Sequence, residues 1–94
     1  MTNVRRIVRI QAKSGLAAAT RTALIELQQA TQSEPGCREF TFFQELIDES
    51  AFLLIEDFAS AEDLDLHMKL PHTQAFFARD MVADIKPIEK GWMS

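Results

Sequence analysis

Four stretches of two-residue hydrophobic alternation are interleaved with two of helical spacing, in the order strand, helix, strand, strand, helix, strand. Within 94 residues that order leaves few folds open. Val4, Val8, Ile10 and Ala12 share one phase of the first strand, and Arg5, Arg9 and Gln11 share the other, to which Ile7 adds an apolar residue. Leu16, Ala23, Leu24, Leu27 and Ala30 then recur near helical spacing up to about Gln32, with Ser14 as a candidate N-cap. Glu34-Pro35-Gly36 stops this helix, because a residue before proline avoids helical backbone and glycine tolerates the turn that follows. A strand is expected from Cys37. Arg38 to Ile47 and Ala51 to Phe58 read as the arms of an antiparallel hairpin around Asp48-Glu49-Ser50. Ser60 is placed to cap a second helix, with Glu62 and Asp63 in the first turn where the helix dipole favours acids. Pro71 breaks that helix, Thr73 to Ala83 reads as a further helical piece, and Ile85 to Met93 as a last strand that Pro87 confines to an edge or a bulge.

This order is the α+β, ferredoxin-like βαββαβ plan. Right-handed crossovers put both helical segments on one face of a four-stranded antiparallel sheet, with residues 1–94 as a single domain. The other face is then left bare, yet Ile7, Phe43, Ile47, Leu53 and Ile55 make it too apolar for water. A two-fold dimer, sheet against sheet, is the least elaborate way to cover it.

Charge and composition narrow the partners. A net charge of −4, with ten basic residues scattered apart from Arg5, Arg6 and Arg9, offers phosphate backbones no broad positive surface, so nucleic acid is not an expected partner. One cysteine forms no intrachain disulfide, which makes the cytoplasm the expected compartment. The arginine-studded stretch from Met1 to Ile10 lacks the apolar run of an export signal or a membrane span, so neither is expected. Two histidines and one cysteine without a ligand spacing predict no metal, and three isolated glycines predict no nucleotide or flavin.

Three polar residues stand where apolar ones would be ordinary. His67 shares the apolar face of its helix with Leu64 and Met68, and histidine is the side chain whose proton comes and goes near neutral pH. The alternative for His67 is a hydrogen-bonded structural role. His72 follows Pro71 at a helix start, where it would cap a turn or line a pocket mouth. Glu56 interrupts the row Phe52, Leu54, Phe58, and a carboxylate there needs a partner: a helix histidine or an arginine such as Arg9. Phe40, Phe42, Phe52, Phe58, Phe76, Phe77 and Trp92 supply aromatic surface, most of it for the core. Phe40, Phe52, Phe58 and Phe76 are the candidate pocket walls. Cys37 reads as a small buried hydrophobe rather than a nucleophile.

Glu34-Pro35-Gly36-Cys37 leading to Phe40, then Glu56-Asp57-Phe58-Ala59-Ser60, then His67 through Leu70-Pro71-His72-Thr73-Gln74-Ala75-Phe76, resemble the antibiotic biosynthesis monooxygenase (ABM) domain family along nearly the whole chain. The resemblance implies a dimeric α+β barrel and a quinol-monooxygenase-like activity. That activity is cofactor-independent oxidation of a small aromatic phenol or quinol by molecular oxygen, with His67, His72 and Glu56 as the catalytic group. Phe58 stands where members of the family often have tryptophan, and the chain has no tyrosine. Those departures favour a second reading, a non-catalytic dimeric binding or stress-associated protein of the same fold. A third, haem breakdown, would enlist Asn3 and His72.

Overall fold

The computed structural model describes residues 2–88. Its elements are β1 (Val4–Ala12), α1 (Ala17–Gln32), β2 (Cys37–Gln44), β3 (Ala51–Phe58), α2 (Ala61–Lys69), α3 (Pro71–Ala78) and β4 (Val82–Pro87). They form a four-stranded antiparallel sheet in the order β2-β3-β1-β4, the ferredoxin-like plan expected from the alternation, with the second helical segment split in two at Pro71.

Three boundaries differ from the sequence expectation, each for a local reason. Ser14 does not cap α1. Leu16 takes the N-cap position without a side-chain bond, because Ser14 and Gly15 lie in a turn closed by the Leu16 N–H on the Lys13 carbonyl at 3.0 Å. Gly15 supplies the positive φ of 79° which that turn requires. The first hairpin arm ends at Gln44 instead of Ile47. Glu45 turns its carboxylate onto the N–H groups of Ile47 and Asp48, and Asp48 Oδ1 accepts from Ser50 N–H at 3.0 Å, so side chains hold the loop and the ladder stops. Leu46 and Ile47 project from its tip almost fully exposed, so Ile47 does not belong to the bare sheet face. The third helix runs Pro71–Ala78 and not to Ala83, since Asp80 turns to a positive φ of 54° and β4 begins at Val82. Pro87 pairs with Val8 at the end of β4, an edge strand, where its missing N–H costs least. The part of the expected last strand beyond Ile88, and Trp92, lie outside the described residues.

The sheet's register sorts the side chains. Val8, Ile10, Phe40, Phe52, Leu54 and Phe58 point to the helices and bury against Ala23, Leu24 and Leu27 of α1 and Phe76 of α3. Burying side chains of this size contributes about 1.5–3 kcal/mol each. Strand β2 is the other edge, and α1 covers it: Phe42 N–H donates to Gln28 Oε1 at 2.8 Å, and Gln32 Nε2 donates to the Phe40 carbonyl at 3.0 Å. Two glutamines one helical turn apart thus satisfy backbone groups that would otherwise invite another strand. On the opposite face Phe43 is half exposed and Ile7, Leu53 and Ile55 are only partly covered, so the apolar surface foreseen there is present without Ile47.

The turn between α1 and β2 packs under the start of α2. A Cβ added at Gly36 would lie 2.5 Å from Cβ of Asp63, too close for any real contact, and the Gly36 carbonyl accepts from Ala59 N–H at 2.9 Å. Gly36 is therefore fixed by close approach. Gly36→Ala should cost about 1–3 kcal/mol in chemical denaturation by forcing α2 away from the turn. A change within about 0.5 kcal/mol, the range of ordinary surface substitutions, would show that the two segments are not in contact.

Candidate functional site

Helix α2 positions the first functional side chain. Ser60 Oγ accepts from Asp63 N–H at 3.2 Å, as the capping pattern predicts, and sets the phase that turns His67 to the sheet, where it is 3% exposed. Leu70, extended because proline follows it, ends α2 and opens α3. Pro71 takes the first turn of α3, which puts His72 there as well. The break folds the chain so that the two imidazole centroids are 6.3 Å apart.

The group that joins them is Glu34, in the turn after α1. Its Oε2 lies 2.9 Å from His67 Nδ1 and 2.6 Å from His72 Nε2, and its side chain is nine-tenths buried. An ionised carboxylate only accepts, so each facing ring nitrogen donates its proton to it. This fixes both tautomers. Neutral His67 carries its hydrogen on Nδ1 and its lone pair on Nε2, which has no partner among the described residues. The ring is further locked between Phe40 and Phe58, each centroid 5.1 Å away, and Thr73 Oγ1 stands 3.4 Å from Nδ1.

Between the sheet and the helices lies a cavity of about 60 Å³, lined by His67, Glu56, Arg6 and Thr73 among apolar walls that include Phe40, Leu54 and Phe76. His72 is not among its walls. It opens instead on a shallow surface groove beside Glu26 and Arg79, so only one of the two histidines meets the interior space. The cavity's volume has room for about two waters, well under the roughly 150 Å³ that accommodates benzene in an apolar core. Met68, Phe77 and Ile85 are part of its lining and are each partly exposed. A larger groove of about 250 Å³ lies beside Arg9, Phe43 and Leu53 on the sheet's other side, and no histidine lines it.

Glu56 is where the sequence reading placed it, but its partner is neither a histidine nor Arg9. Arg6 lies directly opposite it across β1 and β3 and donates through Nε at 2.8 Å, with a second guanidinium nitrogen at 2.6 Å from the same oxygen. Arg9 pairs with Leu53 in the ladder, so it belongs to the other phase and faces away. The expected pocket aromatics divide. Phe40 and Phe76 line the cavity; Phe58 is wholly buried beneath the His67 ring; and Phe52 borders grooves elsewhere. Cys37, beside Glu34, has its thiol pushed up to about 11 by burial and by the acids around it, Glu34 first among them, so it stays protonated and is a poor nucleophile.

Sequence reasoning missed Glu34 and Arg6. Glu34 sits in the Glu-Pro-Gly-Cys stretch, which reads as a turn, and a surface turn is where a carboxylate needs no explanation. Arg6 occupies the apolar phase of β1, between Val4 and Val8, just as Glu56 occupies the apolar phase of β3. Two charges interrupting facing rows were the signal.

Three comparisons bear on this geometry. The family described as antibiotic biosynthesis monooxygenase matches residues 3–79. PA3566 from Pseudomonas aeruginosa superposes with a TM-score of 0.87 at 24% identity, covering 94% of this chain and 91% of that one. A Nitrosomonas europaea protein provisionally designated an antibiotic biosynthesis monooxygenase follows with 0.83 at 22%, covering 92% and 86%. Rv0793 from Mycobacterium tuberculosis gives 0.79 at 22%, covering 94% of each chain. At these identities the likeness shows the fold. An uncharacterised protein of Synechocystis sp. is 28% identical over 61 residues, 65% of this chain, and the match spans only 42% of that relative's length. With the family pattern running through β1, both hairpin arms and all three helices, the chain belongs to the antibiotic biosynthesis monooxygenase domain family.

Proposed function

We propose that this chain is a cofactor-independent monooxygenase acting on a small aromatic phenol or quinol in the cavity between sheet and helices. The observation that carries the reading is the Glu34–His67 pair. A buried carboxylate holds Nδ1–H, and the opposite nitrogen of a ring that lines an apolar cavity is left as the base. Histidine removes the phenolic proton, and Glu34 stabilises the imidazolium that results. The electron-rich anion passes one electron to molecular oxygen, the two radicals combine, and loss of water from the peroxide gives the quinone. One oxygen atom leaves in the product and the other in water, so the substrate supplies both electrons.

His67 is the catalytic residue in this reading, Glu34 a positioning residue, and His72 a second donor that holds Glu34 in place. Glu56, held by Arg6, gives the lining a polar edge against which a substrate hydroxyl can be oriented. His67→Ala should lower oxygen uptake with hydroquinones and anthrones by about a hundredfold or more per folded molecule. Glu34→Gln should fall between that variant and the parent, with a changed pH profile. Uptake at the parent rate by a folded His67→Ala protein would remove His67 from the chemistry.

The reading includes a homodimer. The face carrying Ile7, Phe43, Leu53 and Ile55 is apolar and uncovered, and a second copy is the partner that the fold itself supplies. Light scattering at micromolar concentration should give twice the chain mass, and Ile55→Lys should give monomer or aggregate. A monomeric mass for the parent protein would contradict it.

A further inference from the structure

We infer that Glu34, His67 and His72 form a binding site for a divalent first-row transition ion of the Zn²⁺ class. The chain has two histidines in all, and both direct a ring nitrogen at one carboxylate oxygen. His67 Nδ1, His72 Nε2 and the Glu34 oxygen lie within 4.8 Å of one another. Two imidazole nitrogens and one carboxylate oxygen are the ligand types such ions take, and three protein ligands leave a fourth position for water.

The metric fit requires little movement. Bonds of about 2.0–2.1 Å in a tetrahedral site put ligand atoms about 3.3 Å apart. Glu34 Oε2 is 2.9 Å from His67 and 2.6 Å from His72, so an ion must lengthen both contacts by under about 1 Å and hold the two ring nitrogens, which lie within 4.8 Å of one another, at a similar spacing. The three ligands can divide that movement unequally. His67 is clamped by Phe40 and Phe58, and Glu34 is nine-tenths buried, whereas the His72 side chain is 30% exposed on the first turn of its helix. The exposed histidine is both the ligand that can swing and the opening through which an ion enters. Burial of the other two keeps water from competing for them.

Binding has a consequence that rests on the proposed function, although the binding itself does not. An ion on Nδ1 of His67 moves that ring's remaining proton to Nε2, turning the nitrogen at the cavity from acceptor to donor. Metal occupancy therefore silences the base.

The test uses the chain without a histidine tag, stripped with chelator. Titrated with Co²⁺, it should develop the visible bands of a tetrahedral ion at one equivalent, and calorimetry with Zn²⁺ should give the same stoichiometry. His72→Ala and Glu34→Gln should each weaken binding about tenfold or more, while Cys37→Ser leaves it unchanged. Zn²⁺ should raise the melting temperature of the parent and of neither ligand variant. Absence of one-to-one binding, or binding that survives both ligand variants, overturns the site. Oxygen uptake separates the two proposals: a protein that binds Zn²⁺ through these residues and oxidises no phenol keeps the site and loses the monooxygenase reading. A protein whose uptake is indifferent to Zn²⁺ and which fails to bind it keeps the activity and loses the site.

Discussion

One carboxylate oxygen holds three segments of the chain together. Glu34 stands where α1 has ended and β2 has not begun, and its Oε2 accepts from a histidine on α2 and from another on α3. A carboxylate nine-tenths buried is costly unless protein donors stand in for water, and two imidazole N–H groups do so at Oε2. The same bonds tie α2 and α3 to the turn, set which ring nitrogens carry hydrogen, and leave His67 Nε2 without a partner among the described residues. Gly36 makes this possible by letting the turn come within contact of Asp63.

A second charged pair lines the same cavity. Arg6 and Glu56 are opposite residues of adjacent strands, both on the face otherwise given to Val8, Leu54 and Phe40. Glu56 is 3% exposed, and the Arg6 side chain, 42% exposed, brings the compensating charge in from the rim. With its neighbours so arranged, the cavity is lined by a histidine, an ion pair and aromatic surface. That is the distribution expected of a site which binds a flat apolar molecule by its faces and orients it by one polar group.

The fold was legible because its evidence is local. Strand alternation, the Pro35-Gly36 stop, the Ser60 cap and the Pro71 break each act within a few residues, and the βαββαβ order admits one arrangement of the sheet. The candidate site was legible in His67, His72 and Glu56 but not in the residues that hold them. His67 declared itself by interrupting a helical apolar face, and Glu56 by interrupting a strand. Their partners are set by register and by the crossing of helices over the sheet, quantities that no spacing along the chain encodes. Glu34 is 33 residues from His67 and 38 from His72, and Arg6 is 50 from Glu56. Strand ends failed for the opposite reason: Glu45 and Asp48 compete for backbone N–H groups over distances too short to disturb the hydrophobic pattern.

The central claim is that Glu34 orients the two rings in opposite tautomers, and nitrogen-15 correlation spectra of the two histidines read this directly. Above the pH at which both rings are neutral, His67 should show its hydrogen on Nδ1 and an unprotonated Nε2, and His72 the reverse. In Glu34→Gln the His67 preference should relax toward the mixture of a free imidazole. A parent protein whose His67 carries its hydrogen on Nε2 would contradict the account, because Nδ1 would then have no hydrogen to donate to Glu34.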